Sequence, residues 1–233
     1  MANCPLWNKT QDKLISTKKI APYVYYCHVA DPQWSDETFL FEAKEYFGMY
    51  DLEECMKLRS SAAIRHHLIS RIALKNAVCA FVREKNNDIL LPKDFFCTHD
   101  ERGCPLIKSC GYMTRRTDNL HVSLSHKDYR AAAIVSDIPV GIDLEKIEQK
   151  SEEFIRIAYT EQERARLRFL DTQDAVIRFW VAKEACAKKT GLGLQGQPQA
   201  FEVIAIDGDV LTIGETRVKT LKVEKDYIVG WTI

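Results

Sequence analysis

The amino-acid sequence predicts an α+β fold, with helices and antiparallel strands in both halves of the chain. One segment, about residues 60–84, has apolar side chains at spacings of three and four, which is typical of a helix. Another, residues 119–126, alternates as a strand does. The last part of the chain holds four short β-rich segments, at about 201–206, 210–213, 218–223 and 227–233. Short strands without intervening helices favour antiparallel meanders over a parallel βαβ sheet.

Composition sets the class of protein. The 233 residues are 46% hydrophobic and 28% charged, as in a globular protein with a sizeable core. Thirty-three basic residues balance 33 acidic ones, which argues against a nucleic-acid partner. No apolar run reaches the roughly 18 residues of a membrane span, and the first residues lack a secretory pattern. The eight cysteines contain no C-x-x-C pair, so we expect reduced thiols and a cytoplasmic protein.

The first half begins with a polar segment, residues 1–20, for which we predict no regular structure. Residues 22–29 are rich in aromatic and β-branched side chains and predict a strand that ends at Asp31-Pro32. Ser35 is a suitable N-cap for a helix that Gly48 would end. A short helix at about 51–58 precedes the long helix at 60–84.

The long helix carries a second stripe, formed by His67, Arg71 and Lys75. These residues repeat every four positions and so share one helix face. Two interpretations remain open from the residues alone: a solvated face, or an edge that faces an anion. In the second case Arg59 and Arg65 would be further candidates.

The middle of the chain predicts short strands at about 94–98 and 106–107, and then the alternating segment. In that segment Ser123 and Ser125 share one face, and His126 lies on the other face near the strand end. Residues 130–135 predict another strand. A turn at 137–139 would return the chain so that residues 140–144 pair with it.

The second half predicts a helix at 151–157 and a further helix that begins with Thr160 and Glu163. This pair matches a capping box, in which each side chain bonds the other's backbone N–H. The next helix covers about 174–190, with Gly191 where a C-terminal cap is expected.

Chemistry concentrates in two stretches, Val140-Gly-Ile-Asp-Leu-Glu145 and Trp180-Val-Ala-Lys-Glu-Ala-Cys-Ala-Lys188. The strand period of two puts Asp143 and Glu145 on one face, and Glu184 and Lys188 share a helix face. Three carboxylates with adjacent lysines suit Mg²⁺ and a phosphate. The alternatives are solvated strand carboxylates and an ordinary surface ion pair.

Three motifs in order resemble a known family. Val122-Ser-Leu-Ser-His126, Gly141-Ile-Asp-Leu-Glu145 and Trp180-x-x-Lys-Glu-Ala-x-x-Lys188 resemble the signature motifs of 4′-phosphopantetheinyl transferases of the larger, surfactin-synthetase-activator (Sfp) type. They cover residues 119–194. The first half resembles the family more loosely, through residues 65–75 and 100–105.

The resemblance implies a fold and a reaction. The fold would be two similar α+β halves, an intrachain pseudo-dimer, here residues 1–115 and 116–233, with coenzyme A bound between them. The reaction would move the 4′-phosphopantetheine arm of coenzyme A onto a serine of an acyl, polyketide or peptidyl carrier protein. We expect a monomer with no membrane partner.

The resemblance also assigns roles to individual residues. It implies that Mg²⁺ is bound by Asp143, Glu145 and Glu184. Lys188 and His126 would contact phosphate with support from Ser125, and Lys183 would serve the phosphates or the proton transfer. Glu184, Lys183 or a water remains open as the general base. For the coenzyme A 3′-phosphate the candidates are Arg59, Arg65 and Arg71.

One position departs from the family pattern. Family members often carry a basic residue where this chain has Cys104, and Arg102 is the alternative candidate for that phosphate contact. The alternative function is a non-catalytic module that binds coenzyme A or a carrier protein within a larger synthase. A nucleotide phosphotransferase is disfavoured, because no G-x-x-x-x-G-K-[ST] loop is present.

Overall fold

Two large antiparallel sheets, each covered by a long helix, and a smaller two-stranded sheet confirm the α+β prediction. The computed structural model describes residues 15–29, 35–109, 117, 119–170 and 172–233. Eleven strands occur in these ranges: β1 Ile15–Ala21, β2 Val24–Val29, β3 Phe95–His99, β4 Pro105–Ser109, β5 His121–Lys127, β6 Arg130–Ser136, β7 Ile142–Lys146, β8 Val203–Asp207, β9 Val210–Ile213, β10 Thr216–Glu224 and β11 Tyr227–Thr232. The same ranges hold six α-helices: α1 Asp36–Ala43, α2 Met49–Met56, α3 Ser61–Asn86, α4 Glu152–Ala158, α5 Glu161–Leu170 and α6 Gln173–Lys189.

The first sheet has the strand order β1-β2-β6-β5, and α3 packs across β6 and β2. Ser60 begins α3, because its hydroxyl accepts the N–H of Ala63 at 3.2 Å. Within the apolar stripe predicted for this helix, Leu68 and Ile72 are fully buried against the sheet, and Ile64 near the helix start is partly buried. The amphipathic pattern therefore identifies both the helix and its inner face.

The second sheet has the order β7-β11-β10-β9-β8, and α6 packs on β7 and β11. Two glycines allow a close approach. A Cβ on Gly141 would lie 1.9 Å from the carbonyl oxygen of Ala185, and one on Gly230 would lie 2.5 Å from Val181 Cγ1. The backbone of α6 thus reaches the start of β7, and the helix brings its side chains to the β7 carboxylates.

The predicted pairing of residues 140–144 with 130–135 is wrong. In the structure β7 pairs with β11, with Asp143 opposite Gly230, while β6 pairs with β2 and β5. Ile142 and Leu144 are buried between the sheets, in a core that also contains Val24 and Ile134. Because that burial requires β7 to face the first sheet rather than extend it, the turn after β6 carries the chain into the second sheet.

The same series of elements occurs twice along the chain. The strand β2 is followed by three helices, a 3₁₀ turn at Pro92–Asp94 and strands β3–β6. The strand β7 is followed by three helices, a 3₁₀ turn at Pro198–Ala200 and strands β8–β11. The strands β3 and β4 form a separate two-stranded sheet in which β4 contacts β5, so the spatial order β2-β6-β5-β4-β3 resembles the hydrogen-bonded order β7-β11-β10-β9-β8. The change from one sheet to the other falls between Ser136 and Ile142.

Other local predictions had mixed outcomes. Thr160 and Glu163 form the predicted capping box, with N–H to side-chain distances of 2.8 and 3.2 Å. Residues 15–21, predicted as irregular, form β1 on the edge of the first sheet. Gly48 does not directly end the first helix but is the N-cap of α2.

The described residues do not include residues 1–14, the turn at Asp31-Pro32 or the proposed division at 115–116. Among the described helices, none combines the length and apolarity needed to cross a bilayer.

Candidate active site

The strand β7 carries two carboxylates on the face opposite its buried apolar side chains. Asp143 is 5% exposed and its Oδ1 accepts two hydrogen bonds, from Ser125 Oγ at 2.8 Å and from Lys188 Nζ at 2.7 Å. Glu145, two residues on, forms an ion pair with Lys127 at 3.1 Å. The period-two prediction for this strand therefore puts both carboxylates in one locality, between the end of β5 and the helix α6.

The helix α6 contributes Glu184 and Lys188 to the same locality. Desolvation raises the pKa of Glu184, and the negative charge of Asp143, with a smaller contribution from Glu145, raises it further, while Lys188 opposes the shift. The three carboxyl groups therefore interact electrostatically although they come from two elements 40 residues apart in sequence. Lys188 provides the nearest positive charge to Asp143.

Two oxygens in this group have no hydrogen bond. Asp143 Oδ2 and Glu145 Oε2 are buried, and neither accepts a hydrogen bond. A buried carboxylate oxygen without a donor is costly unless another cation or a ligand satisfies it. No three acidic, histidine or cysteine side chains of the described ranges already stand in metal-binding geometry. The donor set is nevertheless all oxygen, which is the chemistry that Mg²⁺ prefers.

The end of β5 brings Ser125 and His126 to the carboxylates. Ser125 is buried and donates to Asp143, so it orients that carboxylate. His126 is exposed, and its ring centroid lies 5.1 Å from that of His66. Partial desolvation lowers the pKa of His126, and the positive charges of His66, Lys188 and Arg71 lower it further. His126 therefore lies within electrostatic reach of Lys188 and Arg71, as an anion-binding edge requires.

The structure gives Lys183 a different environment from the one expected. Its side chain is 0% exposed, and its ammonium donates to Glu163 Oε2 at 2.8 Å and to the carbonyl oxygen of Pro198 at 3.0 Å. These bonds hold it inside the second half, under α5, and not at the carboxylate group. The expectation of a phosphate contact or proton transfer by Lys183 is therefore corrected: the structure favours a buried structural ion pair.

The basic residues of the first half also differ from the expected pattern. Of the stripe on α3, Arg71 is 5% exposed and Lys75 is 1% exposed, so the solvated-face interpretation is wrong. Lys75 is bonded to Asp51 at 2.8 Å and to the carbonyl oxygens of Pro92 and Phe95. Only Arg71 and His67 of that stripe remain for an anion.

The other candidates around the stripe lie in different environments. The positive charge of Arg71 lowers the pKa values of His67, His99 and His126. Arg65 lies over the rings of Phe39 and Tyr129, at 5.8 and 5.9 Å, and Arg59 is exposed at the entry to α3. Arg71 is thus the arginine candidate whose charge acts on His126.

Cys104 lies where the two halves meet. Its Sγ lies 3.3 Å from the carbonyl oxygen of Gly191, in the loop after α6. The neighbouring Arg102 is 63% exposed in its side chain and pairs with Asp100 at 3.5 Å. The contact with Gly191 gives Cys104 a packing role, and Arg102 points to its own turn.

Sequence reasoning missed His67 and Lys127. The sequence pattern shows His67 only as part of a helical stripe. In the structure its Nε2 is buried without a hydrogen bond, and desolvation together with the charge of Arg71 lowers the pKa of His67 to about 4. Lys127 follows directly on the Ser-His motif, and only the tertiary structure shows its contact with Glu145. The sequence does place His67 four residues before Arg71, and this spacing predicts that the two side chains lie on the same helix face.

Part of the chain matches the model of a known family. A search of curated proteins finds no match to the chain. The matched part of the chain includes Asp143, Glu145, Glu184 and Lys188. It does not include Ser125 or His126. Residues 139–232 match the model of the 4′-phosphopantetheinyl transferase superfamily.

Proposed function

We propose that this chain transfers the 4′-phosphopantetheine group of coenzyme A to a serine of an acyl, polyketide or peptidyl carrier protein. The reaction converts the apo carrier into the holo carrier and releases adenosine 3′,5′-bisphosphate. The observation that carries the proposal is the convergence of Asp143, Glu145, Glu184 and Lys188 within a region that matches the transferase superfamily.

We also propose the Sfp-type architecture, a pseudo-dimer with coenzyme A between its halves. The repeated order of elements supports two similar halves, and the chain passes from the first sheet to the second between Ser136 and Ile142. A second correspondence is the pair of buried lysines. Lys75 and Lys183 each lie on a long helix and bind the third residue of a capped helix, Asp51 and Glu163 respectively. The first half would contribute to coenzyme A binding, and the second half would carry the metal and the chemistry.

Asp143, Glu145 and Glu184 are the residues that would hold Mg²⁺. Asp143 Oδ2, which accepts no hydrogen bond, fits a cation in that position, and Glu145 Oε2 has the Lys127 ammonium beside it. Mg²⁺ would supply Lewis-acid stabilisation of charge on the pyrophosphate oxygens. Ser125 keeps Asp143 oriented through its hydrogen bond to Oδ1.

Positive charge for the phosphates would come from both halves. Lys188 is part-exposed, and its ammonium can move from Asp143 to a phosphate oxygen. His126 would donate to a phosphate oxygen, and the negative phosphate would favour its protonated form. Arg71 is the strongest of the three arginine candidates for a further coenzyme A phosphate, followed by Arg65 and then Arg59.

The transfer step needs one proton acceptor. The serine Oγ of the carrier forms a bond to the phosphorus that bears the pantetheine, the bond from that phosphorus to the bridging pyrophosphate oxygen breaks, and the serine proton must leave. Glu184 would accept this proton, directly or through water, because it lies beside Asp143 and Lys188 at the site. The buried pairing of Lys183 argues against a part in this step.

The test is to incubate the chain with coenzyme A, Mg²⁺ and apo carriers from fatty-acid, polyketide and non-ribosomal peptide pathways, and to weigh each carrier. A gain of one phosphopantetheine mass on a carrier is expected. Binding of coenzyme A without any mass gain on any carrier would favour the non-catalytic module instead.

A further inference from the structure

Lys127 is a charged residue at the site that the proposed chemistry does not use. It ends β5, opposite Arg130 across the β5–β6 turn, so its backbone belongs to the first sheet. Its ammonium reaches Glu145 of the second sheet, with Nζ 3.1 Å from Oε2. The side chains are 34% and 19% exposed, so the pair lies at the mouth of the site rather than in the core.

The contact is an ion pair without a hydrogen bond. Glu145 Oε2 is buried and accepts no hydrogen bond, although Lys127 is close to it. The contrast with Lys188 is clear, because Lys188 donates a hydrogen bond of 2.7 Å to Asp143 Oδ1 and leaves Oδ2 open. The Lys127 ammonium therefore lies 3.1 Å from the oxygen that a metal ion would use.

A lysine and a divalent cation cannot share that oxygen without repulsion. Like charges a few ångströms apart in a partly desolvated site repel strongly, so metal binding to Glu145 requires the ammonium to withdraw. Withdrawal is easy, because a long, part-exposed lysine can turn its charged end to water. The site would thus exchange one cation for another.

We propose that Lys127 competes with the divalent cation for Glu145: it neutralises this carboxylate in the metal-free protein and raises the metal concentration needed to fill the site. This inference rests on the proposed metal site of Asp143, Glu145 and Glu184. It makes Lys127 a residue that sets metal affinity, acting through Glu145 and not on the substrate.

The test measures metal binding without turnover. Full-length protein is titrated with Mn²⁺ in the absence of coenzyme A, and free Mn²⁺ is followed by electron paramagnetic resonance. The variants are Lys127→Met, which keeps length but removes charge, and Lys127→Arg, which keeps the charge. The matched control is Lys222→Met. This substitution also removes an ion pair, with 2.8 Å between Lys222 and Asp174, but the pair lies away from the site.

We expect Lys127→Met to bind Mn²⁺ roughly two- to fivefold more tightly than the unmodified protein, as loss of a part-exposed ion pair allows. Lys127→Arg and Lys222→Met should stay close to the unmodified protein. Equal or weaker binding by Lys127→Met, with native circular dichroism, would overturn the competition while leaving the metal site intact. If the unmodified protein shows no Mn²⁺ binding that is lost in the Asp143→Asn variant, the metal site is overturned, and this inference with it.

Discussion

Replacement of Lys183 by methionine tests whether this lysine serves the fold or the chemistry. Both Lys183 and Glu163 are 0% exposed, with 2.8 Å between Nζ and Oε2. The carboxylate of Glu163 also accepts the backbone N–H groups of Thr160 and Val203, so it cannot turn away to water. Lys183→Met therefore leaves a buried negative charge without its cation.

The expected loss of stability is large. Removing one partner of a buried ion pair costs about 3–5 kcal/mol, because the other charge stays desolvated. Total stabilities of domains are about 5–15 kcal/mol, so the variant would lose a substantial fraction. For a chain of this size the midpoint of thermal unfolding would fall by roughly 6–20 °C.

The assay is urea unfolding followed by circular dichroism, together with carrier modification well below the unfolding midpoint. The double variant Lys183→Met/Glu163→Gln should recover part of the stability, because it removes the unpaired charge. Lys75→Met is a matched comparison in the first half, where Lys75 and Asp51 are 1% and 4% exposed. A Lys183→Met protein that unfolds at the same urea concentration as the unmodified one, yet transfers nothing, would refute the structural role.

Three further predictions concern the site and its supports. Asp143→Asn and Glu184→Gln should each reduce carrier modification by about 10²–10⁴-fold with unfolding unchanged, measured as initial rates by mass spectrometry. Gly141→Ala should destabilise the chain by about 1–3 kcal/mol in urea unfolding, because its Cβ would lie 1.9 Å from the oxygen of Ala185. His67 has a folded pKa of about 4 against an ordinary 6.5, so the unfolded chain takes up its proton first. Stability should therefore fall by about 3 kcal/mol as the pH drops from 6.5 to 4, and His67→Phe should lose that slope.

Each of these predictions has a contradicting outcome. Near-normal transfer by either carboxylate variant would remove that residue from the metal and proton assignments. If the Gly141→Ala variant has the same free energy of unfolding as the unmodified protein, α6 moves away from residue 141 without a loss of stability. For His67, an unchanged pH slope in the His67→Phe variant would assign the acid sensitivity to other groups.

Much of the site was predictable because its residues lie on regular elements. The period of two placed Asp143 and Glu145 on one face, and the helical period placed Glu184 beside Lys188. The same periodicity could not distinguish Lys183 from Lys188, since both lie on α6. Only packing decides between them: Lys183 faces Glu163 in the core, and Lys188 faces Asp143 at the edge.

Pairing between strands was the least predictable feature. Residues 130–135 and 140–144 are close in sequence and both β-rich, which favoured a hairpin. The structure separates them into two sheets, because Ile142 and Leu144 are buried where the sheets face each other. Register and sheet membership depend on which distant surface buries a strand, and a local pattern does not contain that information.

The sequence by itself determined the helices, most of the strands and the identity of the acidic and basic residues, because local periodicity and capping residues encode them. The tertiary structure alone decided which charges meet. It paired Lys127 with Glu145 across two sheets, it buried Lys75 and Lys183, and it brought β7 against α6 through Gly141. The physical reason is that a charge acts over a few ångströms of space, and those distances exist only once the two sheets have packed.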